Sequence, residues 1–499
     1  MFRMNKISTA MATAGLLSAA LMAGSQLASA QSLSGPLVTG VTSGTAVTVP
    51  YYTVRAGWQT LMNITNTTGN SLAVKVRVRE SYNSRDVLDF NVLLSPFDVW
   101  TASLSNNAGR PFLQTTDRSC TVPISVRNSG EFGNALAYTG QFADQGPQTN
   151  ERMLEGYVEL LVMGEIPGTP AGAPAFAKHV NGEPVDCVAA QNRFVRGVAI
   201  PAWVSGPITG VAGSGDPLAR GDYGPITSPS PLKVNISYLN QALGLSAGGT
   251  ATHIQGWGVG QNLVTAQQFP WFLEPALASH TGLWNNTALP LVESTINATA
   301  VINEWSNFPA NGVQTDWVVT FPTKSFRADI SNTNIQAGCN QWRNNTGGGV
   351  IAANCQLPLT PFQNAFLAPG KSNITVTYTL YDREEAVAVV TTDGVTVSPA
   401  PPPEVVISTL PYETNVLVIG NSTYGALTPA FSSAVAQVVD VKGQLKPESP
   451  YGWVNLGFTG APVSTGLPAT GFIFKARTFG DRLKSYGQMM NHGYVRPAP

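Results

Sequence analysis

Apolar and polar residues alternate with a period of two between Trp58 and Leu104, the repeat of a strand with one face buried. Trp58, Thr60, Met62 and Ile64 share one face, and a turn-rich patch at 66–70 follows. Leu72, Val74, Val76 and Val78 then alternate with Ala73, Lys75, Arg77 and Arg79. After residues 81–84 the pattern resumes, with Leu88, Phe90, Val92 and Leu94 inward and Asp89 and Asn91 outward. Strict alternation with polar partners predicts sheets with one wet face, joined by hairpins.

The same reading along the chain predicts further strands at 44–54, 100–104, 121–126, 154–160, 194–203 and 232–238. It places Glu155 and Glu159 on a solvent face. About seven strands between 44 and 203 match what an immunoglobulin-like sandwich needs. Segments 164–177 and 205–231 are turn-dense loops, and 253–286 is the least β-like stretch, with a short helix near 263–278. A second block of strands reads at 298–305, 316–321, 374–381, 416–419, 435–441, 453–458 and 472–476. The Pro-rich stretch 398–404 reads as an ordered loop within this block, and the polar tail from 481 as a short helix followed by an extended end. The expected fold is therefore all-β: two immunoglobulin-like β-sandwich blocks, residues 31–240 and 297–499, joined through a loop-rich aromatic insertion at 241–296.

Residues 1–30 have the form of an export signal, with Arg3 and Lys6 at the start, a short apolar core and Ala28-Ser29-Ala30 before Gln31. No cysteine stands at that cleavage point to take a lipid, and no later stretch is apolar for long enough to span a bilayer. The expected location is extracellular, cell-surface or periplasmic. Charged residues make up 11% of the chain, against about 25% in ordinary soluble proteins. With a net charge of −1, no global field recruits nucleic acid. The 49 glycines and 36 prolines suit a many-turned β protein.

Four cysteines, Cys120, Cys187, Cys339 and Cys355, form an even set in a chain with an export signal, which argues for two disulfides. Three pairings are possible, and Cys120–Cys187 with Cys339–Cys355 is favoured. The spacings match no zinc pattern, so no metal is assigned.

Val49-Pro50-Tyr51-Tyr52, the block 79–90 beginning Arg79-Glu80-Ser81-Tyr82, Leu94-Ser95-Pro96-Phe97-Asp98-Val99-Trp100 and the block Thr315 to Lys324 resemble segments of a group of uncharacterised exported β-rich proteins of Gram-negative bacteria. The resemblance implies export and a shared β fold, and it carries over no catalytic residues.

Short motifs add little. Leu467-Pro468-Ala469-Thr470-Gly471 spells a sorting signal without the membrane segment and basic tail such a signal needs, and Arg220-Gly221-Asp222 spells an adhesion tripeptide of a length that chance often produces. Gly244-Leu245-Ser246-Ala247-Gly248 matches the nucleophile elbow, but Gly249-Thr250-Ala251-Thr252 is a poor helix start. His179, His253, His280 and His492 are not at metal-ligand spacing, and the carboxylate groups Asp86/Asp89, Glu151/Glu155/Glu159 and Asp382/Glu384/Glu385 read as wet-face charges with Arg77 and Arg79 as cross-strand partners. No cofactor is implied. The candidate binding surface is the aromatic run Trp257, Phe269, Trp271, Phe272 and Trp284, whose rings either form a local mini-core or stack on sugars.

The expected function is a non-enzymatic, secreted or cell-surface structural or adhesive protein acting through sandwich interfaces, its partner a second copy of itself. The alternatives are an extracellular polysaccharide-binding module using the aromatic run, and a secreted hydrolase with a carboxylate pair or Ser246 as nucleophile.

Overall fold

The computed structural model describes residues 37–166, 177–192, 194, 223–264, 288–329, 359–382, 406–445, 448–458 and 466–496. The chain is mostly β, as the alternation predicts, and its described helices are short, the longest being Ala288–Ile296.

In the N-terminal half a seven-stranded antiparallel sheet runs Val38–Val41, Thr252–Gln255, Ala46–Thr53, Glu155–Ile166, Ser71–Glu80, Asp86–Leu94, Cys120–Val122. A six-stranded sheet runs Leu245–Thr250, Leu232–Asn240, Gln59–Asn66, Val99–Asn107, Arg110–Gln114, Glu131–Phe132. The two meet face to face. Val74, Val76, Phe90 and Val158 from the first share one core with Met62, Ile64, Trp100 and Ile236 from the second. The inward residues are those the period of two selects. The strands Leu245–Thr250 and Thr252–Gln255 pair into these sheets, although the sequence boundary places them in the insertion.

The C-terminal half also has two sheets. An outer one runs Val406–Leu410, Ile374–Tyr381, Tyr451–Gly457, Ala300–Ser306, Gly493–Val495. A middle one runs Ala436–Asp440, Thr414–Gly420, Val313–Thr320, Thr470–Arg477, Tyr486–Asn491, its first two strands parallel. The central strands of the middle sheet are buried on both faces. Trp317, Leu417, Ile419 and Ile473 face the outer sheet, while Val318, Val416, Phe472 and Phe474 join the N-terminal core. Burial on both sides explains the unbroken apolar run in Thr414–Gly420.

One sequence expectation is overturned. Arg77, Arg79, Glu155 and Glu159 do not lie on wet faces: all four are buried. The outer face of the seven-stranded sheet is largely covered, with Asp89 left exposed as expected. Toward one end Ala73, Leu93, Leu161 and Met163 pack under Leu289, Val292 and Phe326, helical residues that arrive from later in the chain. Toward the other end the face carries charge. Arg77 lies 3.6 Å from Asp89, Arg79 is 3.1 Å from Asp86 and 2.8 Å from Glu159, and Lys75 pairs with Asp89. The cross-strand pairing of Arg77 and Arg79 with acids is as expected; its burial is not.

Cys120 and Cys187 form a disulfide, and it ties the edge strand to the helix Cys187–Asn192. Cys339, Cys355, residues 1–30 and the loop 398–404 lie outside the described residues, as do the helix expected near 263–278 beyond Val264 and most of the strand expected at 194–203.

Candidate functional site

The largest concentration of chemistry-bearing side chains lies where the two halves meet. It starts at Glu80, the last residue of Ser71–Glu80. Its carboxylate accepts from the backbone N–H groups of Tyr82, Asn83 and Arg85 and so closes the turn to the next strand. Arg152 donates to Glu80 at 3.0 Å and pairs with Asp144 at 2.6 Å, with its guanidinium 4.5 Å from the Tyr138 ring. Arg85 continues the chain of charges, 3.0 Å from Asp144 and 2.6 Å from Asp329 of the C-terminal half. Burial opposes ionisation of Asp144, but the Arg152 and Arg85 guanidiniums outweigh it and hold its carboxyl below the usual range. The same turn bonds the C-terminal half through its backbone: Thr414 N–H donates to Ser81 and Glu413 N–H to Tyr82. Burial pushes Glu413 up and Lys324 down, both toward their neutral forms.

A second contact between the halves is made by the loop around Phe431. Its ring sits 5.1 Å from Tyr51, 5.0 Å from Trp58 and 4.3 Å from Phe474, so residues of both halves enclose it. Two buried carboxylates hold the loop's backbone. Asp316 accepts from Ala430 and Phe431, and Glu155 accepts from Ala434 N–H, Ser433, Tyr51 and Arg55. Burial raises Asp316 to about 7 despite those two N–H donors. Trp58 Nε1–H completes the seam by donating to the Ala430 carbonyl at 3.2 Å.

These acids are matched to bases or backbone donors and turned toward protein, an arrangement that fastens surfaces together. Neither the Asp86/Asp89 pair nor Glu155/Glu159 frames a cleft: each takes an arginine partner on its own sheet or turn. Ser246 lies on a strand, paired with Leu239, after a hairpin turn in which Gly244 takes a φ of +68°, so no strand–turn–helix elbow presents it. The sorting-signal spelling is buried strand. Two of the histidines are buried and neutral. His253 accepts from the Val234 N–H at 2.9 Å, and burial lowers both it and His492 to about 4. Among the described residues no group of three or more His, Cys, Asp and Glu is placed to hold a metal ion, and no helix is long and apolar enough to cross a membrane.

Of the aromatic run, Trp257 is fully buried beside Leu263, Val264 and Ile254; Phe269, Trp271, Phe272 and Trp284 lie outside the described residues, as does Arg220-Gly221-Asp222. Among the described residues, exposed aromatics stand elsewhere. On the outer sheet Tyr381 stands opposite Trp453, their rings 4.0 Å apart and within 7° of parallel, with Tyr451 on the same face. Trp453 remains 38% exposed, and Asn455 two residues on has a side-chain oxygen with no hydrogen-bond partner. The signal for this platform is in the sequence: the alternation in 374–381 and 451–457 sends Thr375, Thr377, Thr379 and Tyr381 to one face, together with Tyr451, Trp453 and Asn455. On the six-stranded sheet, Leu61, Asn63, Thr101, Ser103 and Gln114 line an open groove of ≈300 Å³ without a charged residue. Comparison with protein-family models, curated proteins and solved structures finds no match to the chain.

Proposed function

We propose that the protein is a non-enzymatic, exported structural or adhesive protein of the cell surface, built from two immunoglobulin-like sandwiches locked in one orientation. The observation behind this reading is the placement of charge. The buried carboxylates and arginines are paired inside the fold, with Arg85–Asp329 bridging the halves, and the open groove on the six-stranded sheet offers uncharged hydroxyls and amides. A locked pair of sandwiches presenting broad, weakly charged faces suits contact with other surfaces or copies better than turnover. Fractionation of the native host followed by negative-stain microscopy tests it. Ordered lattice or fibres at the cell surface are expected, and a soluble periplasmic monomer would overturn the reading.

A second reading, polysaccharide binding, moves from the aromatic run to the Tyr381–Trp453 pair. Flat, partly exposed rings stacked on an uncharged face are the elements that hold sugar rings. Retention on a polysaccharide column that Trp453→Ala abolishes would favour it.

A further inference from the structure

Two hairpin tips meet and carry a set of exposed apolar side chains. One is the turn between Thr470–Arg477 and Tyr486–Asn491; the other joins Leu232–Asn240 to Leu245–Thr250. Leu483 is 88% exposed, Tyr486 59%, and Phe479 and Leu243 41% each. The tips touch, because a Cβ at Gly244 would collide with the Arg482 carbonyl. Phe479 and Tyr486 have ring centroids 6.4 Å apart, and the Arg477 guanidinium lies 4.7 Å from the Phe479 ring. Arg482 and Lys484 flank Leu483 in the 3-10 turn Arg482–Lys484, and the nearby acid is Asp481, 3.7 Å from Lys484. The tip is thus locally cationic on a chain whose net charge is −1.

We propose that this double tip is a membrane-contact site, dipping Leu483, Phe479, Tyr486 and Leu243 into the interface of an anionic phospholipid surface while Arg477, Arg482 and Lys484 meet the headgroups. Two features select a bilayer over a protein. The four side chains of the patch fall well short of the ~800 Å² that each partner of a stable protein interface buries. Long cations flank the leucine and the aromatic rings, so their apolar stems can share the interface while their charges reach the headgroups. The inference deepens the cell-surface reading and rests on it for location.

Flotation of the full chain with vesicles of phosphatidylethanolamine and phosphatidylglycerol tests it, with phosphatidylcholine vesicles as the neutral control. The wild type is expected to float with the anionic vesicles and to be released by salt. Leu483→Ser and Phe479→Ser are each expected to lower binding about tenfold. Arg482→Gln with Lys484→Gln is expected to remove the preference for anionic lipid. The substituted side chains project into water, so circular dichroism should match the wild type. Failure of the wild type to float, or undiminished flotation of Leu483→Ser, would overturn the proposal. So would a wild-type dimer that Leu483→Ser converts to monomer, because the occupant would then be a second copy. A tip that fails while the native protein still fractionates with the cell surface sinks this inference alone; a native protein found free in the periplasm sinks the reading beneath it.

Discussion

On the six-stranded sheet the side chains turned away from the core include Asn63 and Thr101, and water reaches them; on the seven-stranded sheet they include Lys75, Arg77, Arg79 and Glu159, which water does not reach, and Asp89, which it does. The more hydrophilic face is the covered one. Ionised groups removed from water require partners at hydrogen-bond distance, and each arginine here has an acid on a neighbouring strand. Uncharged hydroxyls and amides need no such matching where solvent supplies it. The difference teaches that alternation separates two faces without saying which one is wet. Length and pairing of the polar side chains carry that information, and they are distributed over strands far apart in sequence.

The contrast breaks most sharply at Arg152. Arg152→Ala leaves Glu80 and Asp144 buried without their guanidinium, and about 3–5 kcal/mol of stability should be lost. A fall in the urea midpoint corresponding to less than ~1 kcal/mol would mean that water enters the seam and the covered region is not dry.

Titration provides the next test. His253 is held near 4 by burial, and it must stay neutral to accept from Val234 across the two N-terminal sheets. The unfolded chain takes up this proton near pH 6.5 and the folded one only near 4. Its contribution is therefore present above pH 6.5 and lost as pH falls toward 4, by at most about 3 kcal/mol. The stability gap between wild type and His253→Gln should narrow over that window, as urea melts at pH 7 and pH 4.5 would show. Asp316 has the opposite sign: raised to about 7, it contributes most below pH 4 and less as pH rises toward 7.

On the covered face, Glu159→Gln weakens the bond to Arg79 and leaves that cation buried with Asp86 as its remaining acid, for an expected loss of about 2 kcal/mol by calorimetry. On the open face, Asn63→Ala and Thr101→Ala should each change stability by less than about 0.5 kcal/mol. Equal effects on the two faces would remove the distinction.

Much of the fold is legible in the sequence because sheet residues declare themselves locally. Val74, Val76, Phe90 and Ile236 are inward by period alone, and Cys120–Cys187 follows the expected pairing. The burial of Glu155 is not legible, since the groups that receive it, Ser433 and Ala434, come 278 and 279 residues later. Glu159 and Arg79 read as a solvated pair because alternation within their own strands does not tell a buried ion pair from an exposed one. Trp257 reads as core or platform, the core being the safer reading, and its neighbours Leu263 and Ile254 decide for core. The Tyr381–Trp453 platform was open to the same alternation argument, but two aromatics on separate strands draw less notice than five in one run.

The hydrogen bond from Trp58 to Ala430 spans 372 residues and carries a consequence for the birth of the protein. At ribosomal speeds of ~5–20 residues per second, Trp58 is made roughly 20–75 s before the loop that covers it. Through that interval Tyr51 and Trp58, joined by Tyr238 about halfway, have no Phe431 to close on. The nascent N-terminal half thus waits with an open hydrophobic socket. Chain release, rather than local strand pairing, sets the moment at which the molecule becomes whole.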